Sequence, residues 1–189
     1  MVINVAVKQQ PEAVKCYPRW QMLSEVVSPD ALSPTYTLAS SNTPQSINQL
    51  WNLFETAGKG KRLLILGNPG AGKTITLLKL AEQLLEDALF RRDAPIPVIF
   101  ELSAWDGSAL EQWLAQQMHL FYNSIALNTA KGWIAAGWVL PLMDGLDELV
   151  IDRQVRCVQA INQFLQDRLG QPAVVCCRAL EYQMQAEDH

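Results

Sequence analysis

The most constraining feature of this 189-residue chain is a glycine-rich octapeptide, residues 67–74, that lies between an apolar run and a long stretch of helical periodicity. The run, residues 63–66, consists of aliphatic residues only and has the length of a buried strand. After the octapeptide, apolar residues recur at the spacing of one helix face: Leu77, Leu80, Ala81, Leu84 and Ala88. The order of strand, glycine-rich turn and helix predicts an α/β domain.

The octapeptide has the form GxxxxGK[ST], which is typical of loops that bind phosphate. Its residues are Gly67, Asn68, Pro69, Gly70, Ala71, Gly72, Lys73 and Thr74. Glycines let backbone amides approach a phosphate closely, and the dipole of the following helix adds partial positive charge at the same place. We expect Lys73 to bridge the β- and γ-phosphates of a nucleotide and the Thr74 hydroxyl to be a ligand of Mg²⁺. The alternative is a plain glycine turn before a core helix.

A second motif, LPLMDGLDE at residues 140–148, is an apolar strand that ends in acidic residues. We expect Asp144 to hold a water bound to Mg²⁺. Either Asp147 or Glu148 could orient a water for attack on the γ-phosphate, and the residues alone do not distinguish them. Taken alone, the motif would be an acidic turn that caps the next helix. Beside the glycine-rich loop, it predicts a site for a magnesium nucleotide.

Further strands and helices alternate after the octapeptide. The sequence predicts strands at residues 98–100, 138–143 and 173–177, and helices at 108–122, 131–136 and 153–169. Ser108 and Glu111 form an expected capping box for the first of these helices, whose expected buried face is Trp113, Leu114, Met118 and Phe121. The alternation predicts a parallel, doubly wound α/β sheet, in which ligands bind beyond the carboxyl ends of the strands.

The chain divides into three expected segments. Residues 1–56 are rich in proline and form an irregular lead-in, with a short strand at 2–7 and a short helix near 44–56 that Thr43 caps. Residues 57–182 form the expected nucleotide-binding domain. Residues 183–189 form a tail.

Charge and cysteine content exclude several classes of partner. A net charge of −4 gives no general attraction to nucleic acid or to acidic membranes. No apolar run approaches the ~18 residues of a membrane span. The four cysteines have neither zinc-ligand spacing nor the density of a secreted disulfide scaffold, which favours a reducing, cytoplasmic location.

With both motifs in place, the chain resembles the NACHT branch of the STAND P-loop NTPases, in the form found in bacteria and notably cyanobacteria. The resemblance covers residues 36–182: the octapeptide looks like Walker A, residues 144–149 look like the NACHT form of Walker B, and Arg178 follows a strand where the family has its sensor arginine. It implies a three-layer P-loop NTPase fold with a mostly parallel sheet. It also implies Mg²⁺-dependent binding and slow hydrolysis of ATP, with GTP as the alternative, in the switch module of a signalling or defence protein that forms homo-oligomers at full length.

Two departures from the family lead to further expectations. Cys176 and Cys177 stand where the family usually has Ser or Thr before the arginine. The chain stops soon after Arg178, so we expect it to lack the carboxyl-terminal strand and lid of the family. Unless residues 2–7 fold back to pair there, the sheet order that the resemblance implies would then leave residues 63–66 as an open edge that invites association. The alternatives to an NTPase switch are a nucleotide-binding fragment without catalysis and a small-molecule kinase.

Overall fold

A computed structural model of the chain describes residues 21–26, 35–39, 62–66, 72–168 and 170–177. The strands are β1 (Gln21–Val26), β2 (Thr35–Ala39), β3 (Arg62–Leu66), β4 (Ile96–Glu101), β5 (Val139–Asp144) and β6 (Ala173–Cys177). The α-helices are α1 (Lys73–Phe90), α2 (Leu110–Phe121), α3 (Leu127–Ala135) and α4 (Ile151–Gln166). Two 3-10 turns, Leu102–Ala104 and Leu146–Glu148, follow β4 and β5.

The strands form one six-stranded sheet in the order β2-β1-β3-β6-β5-β4. The strands β3, β6, β5 and β4 are parallel to one another, and β1 is antiparallel to both of its neighbours. This arrangement confirms an α/β fold with a mostly parallel sheet. Leu66 lies opposite Cys177, and Met143 lies opposite Val175. The carboxyl ends of β3, β6 and β5 therefore meet at one edge of the sheet.

Helices cover both faces of the parallel strands. On one face, Leu77, Leu80 and Leu84 of α1 pack against aliphatic residues of β3, β5 and β6. On the other face, Trp113 of α2, Ile134 of α3 and Phe164 of α4 belong to a second core cluster. Every residue of β6 is buried, which explains why the sequence of this strand is apolar without interruption.

Strand β1 covers the edge of β3 that the sequence analysis expected to be open. Gln21 pairs with Leu66 and Glu25 pairs with Arg62 along this edge. The prediction of an open edge is therefore wrong, because a strand from the amino-terminal part of the chain supplies the missing pairing. Strands β1 and β2 were not predicted, because β1 does not alternate polar and apolar residues and β2 does so over only four residues, 35–38. The strand expected at residues 2–7 and the helix expected near 44–56 lie outside the described residues.

The other predicted elements are present, with shifted ends. Strand β6 has the predicted bounds, whereas α3 and α4 begin at Leu127 and Ile151, earlier than predicted. The capping box at Ser108 is wrong: α2 begins at Leu110 after Ala109, and no side chain caps it. The Ser108 N–H donates instead to Asp106 Oδ1 at 2.9 Å, so Ser108 belongs to the preceding turn.

The predicted buried face of α2 is correct except at its end. Trp113, Leu114 and Met118 are buried, whereas Phe121 is 70% exposed. Phe121 continues the spacing of the buried positions, but it is the last residue of the helix. At a helix end, spacing alone does not predict whether a side chain contacts the core. None of the four described helices combines the length and the apolarity needed to cross a membrane.

Candidate functional site

The site begins at the amino terminus of α1. Gly72, directly before the helix, has a φ of 81°, a left-handed conformation that glycine adopts without strain. Its carbonyl accepts the Thr76 N–H at 2.9 Å, which closes the first helical turn. The first N–H groups of a helix lack acceptors within it, and the first turn of α1 holds no acidic side chain. Both features favour an anion at this end of the helix.

One hydrogen bond joins the two sequence motifs. The Thr74 hydroxyl donates to Asp144 Oδ2 at 2.7 Å, although the two residues are 70 positions apart in the chain. Asp144 is the last residue of β5, and its other oxygen, Oδ1, accepts the Gly145 N–H at 2.9 Å. Both oxygens of the carboxylate are therefore oriented by neighbouring donors. Thr74 and Asp144, which the sequence predicts to share one magnesium site, are in contact in the structure.

The acidic 3-10 turn after β5 is fixed by the backbone. Gly145 has a φ of 76°, and its carbonyl accepts the Glu148 N–H at 3.1 Å. The buried Gln154 side chain donates to the Leu149 carbonyl at 2.7 Å and so ties the turn to α4. Asp147 is half-buried, whereas Glu148 is exposed. A Cβ on Gly145 would lie 3.4 Å from Glu148 Oε2, which shows that the Glu148 carboxyl folds back over this glycine.

Cys176 lies between the two motifs, near the carboxyl end of the buried strand β6. Burial raises the pKa of the Cys176 thiol well above its ordinary value, and the negative charges of Asp144 and Asp147 raise it further. The positive charge of Lys73 lowers it. Coulomb interactions weaken with distance, so the charges of Lys73, Asp144 and Asp147 lie near enough to Cys176 to change its pKa. The thiol stays neutral at pH 7.

Six of the predicted site residues lie in this region: Gly72, Lys73, Thr74, Asp144, Asp147 and Glu148. Their elements, α1, β5 and the following turn, adjoin at the carboxyl edge of the sheet. Gly67, Asn68, Pro69, Gly70, Ala71 and Arg178 lie outside the described residues.

Two residues that hold the acidic turn, Gly145 and Gln154, were not predicted from the sequence. The conformation of Gly145 could have been inferred from the Asp-Gly pair, which often marks a turn. The hydrogen bond from Gln154 had no sequence signal, because a glutamine in the first turns of a helix is usually solvated.

Comparisons with protein-family models, with curated proteins and with solved structures found no match to this chain. The resemblance to NACHT domains therefore stays a prediction that rests on the motifs.

Proposed function

We propose that this chain binds a nucleoside triphosphate with Mg²⁺ and hydrolyses it slowly, as the switch module of a NACHT or STAND signalling or defence protein. ATP is the expected nucleotide, with GTP as the alternative. The observation that carries the proposal is the 2.7 Å contact between the Thr74 hydroxyl and the Asp144 carboxylate. It unites a loop typical of phosphate binding with a strand that ends in acidic residues.

The side chains at this contact suit Mg²⁺. This ion prefers oxygen ligands in an octahedral arrangement and is usually held by one or two protein oxygens, several waters and the substrate phosphates. Thr74 would be a direct ligand, and Asp144 would hold a water bound to the ion. The bound ion would neutralise charge that develops on the β- and γ-phosphates.

The phosphates would lie at the amino terminus of α1. Lys73 is the first residue of this helix and supplies a positive charge beside backbone N–H groups. We assign residues 67–71 to the same phosphate cradle, and Arg178 to the γ-phosphate, on the resemblance to the family. The finer fold assignment, a three-layer P-loop NTPase, is supported by the position of β6 between the loop strand β3 and the acidic strand β5.

Hydrolysis requires a group that orients a water and accepts its proton. Asp147 is half-buried, and its negative charge raises the pKa of the Cys176 thiol at the end of β6. Asp147 therefore lies on the side of the turn that is nearer to the other site residues. Glu148 is exposed and its carboxyl folds over Gly145. Both remain candidates, since a carboxyl in an exposed turn reorients easily.

A nucleotide-binding module without catalysis is the second candidate. It is favoured by Cys176 and Cys177, which stand where the family usually places a hydroxyl side chain. A thiol is a weak hydrogen-bond donor, so it would sense the γ-phosphate poorly.

A multiple-turnover assay of phosphate release distinguishes these candidates. We expect wild type with Mg-ATP to release more than one phosphate per chain, and EDTA to stop the release. Tight Mg-ATP binding without phosphate release would favour the module without catalysis. Formation of ADP only when an acceptor alcohol is present would favour a small-molecule kinase.

A further inference from the structure

Helix α1 carries a second apolar stripe on the side that faces away from the sheet. Leu77, Leu80 and Leu84 fill the core side of the helix. The outer side has four exposed aliphatic residues: Ile75 is 58% exposed, Leu78 48%, Leu85 48% and Leu89 77%. Scattered exposed leucines are ordinary on a protein surface, but several exposed aliphatic residues on one face of a helix form a patch of the kind found at contact sites, even with Glu82 between them.

The row has the spacing of a coiled-coil seam. With Glu82 at its centre, it consists of residues 75, 78, 82, 85 and 89, which are separated by alternating steps of three and four. These are the a and d positions of a heptad, which pack against a second helix. We call these five residues the α1 seam.

We propose that the α1 seam packs antiparallel against the α1 seam of a second copy of this chain. A two-fold axis beside Glu82 would place Ile75 opposite Leu89 of the other copy, and Leu78 opposite its Leu85. Such a contact is isologous and therefore closes as a dimer. The proposal does not depend on nucleotide binding.

The charges beside the seam select this partner and this orientation. Lys79 and Glu86 are exposed and seven residues apart, so they lie on the same flank of the seam. In the antiparallel pair, each Lys79 lies beside Glu86 of the other copy, which gives two ion pairs. In a parallel pair, the flank that carries Lys79 and Glu86 would face the other flank of the second copy. The residues on that flank are Ala81 and Ala88, which have no charge.

Glu82 keeps the dimer weak. The two-fold axis brings the two Glu82 side chains close together, and like charges at a seam disfavour association. A single helix pair also buries less surface than the ~1,600 Å² of a standard stable interface. The structure thus points to a reversible dimer that depends on concentration.

Sedimentation velocity of the full chain without nucleotide, over a range of concentrations, tests the proposal. We expect the mass to rise from 21.1 kDa towards twice that value. Leu85→Glu should abolish the rise. The matched control is Leu120→Glu, at a residue of α2 that is 65% exposed, and it should dimerise like wild type. Circular dichroism should show all variants folded, since each changed side chain is substantially exposed.

Three further variants test the seam's centre and its orientation. Glu82→Leu should lower the dimer dissociation constant roughly tenfold or more, because it replaces a charge at a seam position with an apolar residue. Lys79→Glu should raise the constant roughly three- to tenfold by breaking both exposed ion pairs. The double reversal, Lys79→Glu with Glu86→Lys, should restore the wild-type value.

If wild type and Glu82→Leu both stay monomeric at every concentration, the seam does not bind a second copy. If Leu85→Glu lowers the melting temperature of a monomer, another part of the same chain covers the seam. If the double reversal fails to restore the dimer, the antiparallel orientation is wrong.

Discussion

At the scale of single residues, the contact between Thr74 and Asp144 determines what the site can bind. Threonine and valine have nearly the same shape, and threonine has a hydroxyl where valine has a methyl group. We predict that Thr74→Val lowers Mg²⁺-dependent nucleotide affinity roughly tenfold, about 1.4 kcal/mol, because valine lacks the hydroxyl oxygen that is expected to bind Mg²⁺ directly. Thr74→Ser should retain affinity. The side chain is exposed, so both variants should fold.

Calorimetric titrations with and without Mg²⁺ measure this effect. In EDTA, wild type and Thr74→Val should bind nucleotide equally, because the hydroxyl acts through the ion. Equal affinity in the presence of Mg²⁺ would mean that the contact with Asp144 is only structural.

The three acidic residues should differ in what they do. Asp144→Asn should weaken Mg²⁺-dependent binding, whereas Asp147→Asn and Glu148→Gln should leave binding near normal and reduce turnover. Titration of nucleotide binding and measurement of phosphate release would therefore distinguish Asp144, which acts in binding, from Asp147 and Glu148, which act in turnover. Wild-type behaviour in all three variants would leave the acidic segment as a turn that connects β5 to α4.

Sequence alone indicated these side chains because their types match a known chemistry. Phosphate and magnesium require glycine, lysine, hydroxyl and carboxylate groups at fixed spacing, and this requirement is local. The orientation of Asp144 is not local, because its hydroxyl donor, Thr74, is 70 positions away in the chain. Glu148 folds over Gly145, and Gln154 donates to the Leu149 carbonyl, through contacts within a few residues that residue types alone do not predict.

At the scale of elements, the packing of α4 on the sheet buries Cys157 and changes the pKa of its thiol. Burial raises the pKa of the Cys157 thiol to about 12 from an ordinary value of 9.0, and nearby Arg153 lowers it slightly. The folded chain therefore keeps this proton while the unfolded chain loses it. The contribution of Cys157 to stability is complete below pH 9 and is lost as the pH rises from 9 to 12, by about 1.4 kcal/mol per unit.

Comparison with Cys157→Ala isolates this contribution, because alanine does not titrate. Chemical denaturation across this pH range should show wild type losing stability faster than the variant as the pH rises. Parallel curves for the two proteins would mean that the thiol is not buried in solution.

Element types were easier to predict than element ends. The five residues of β6 form an apolar run bounded by Pro172 on one side, so their limits could be predicted from the sequence. Helices α3 and α4 start after Ala126 and Val150, and neither residue caps its helix with a side chain. Without a capping residue, the first turn depends on tertiary contacts that the sequence does not display.

At the scale of the whole molecule, the β1 and β2 strands complete the sheet beside β3. We predict that a chain beginning at residue 40, which lacks both strands, exposes the edge of β3 and aggregates. A chain beginning at residue 21 keeps both strands and is the matched control. Static light scattering should rise with time for the first and stay constant for the second. Equal behaviour would show that β1 does not protect this edge.

The central claim is that a magnesium nucleotide binds at the start of α1, and calorimetric titration of Mg-ATP into wild type, Lys73→Ala and Lys79→Ala tests it most directly. Lys79 lies on the same helix and is exposed, so its variant controls for the loss of a positive charge. We expect wild type and Lys79→Ala to bind alike, and Lys73→Ala to bind roughly a hundredfold more weakly, about 2.7 kcal/mol. Equal affinity in wild type and Lys73→Ala, with both proteins folded, would contradict the account.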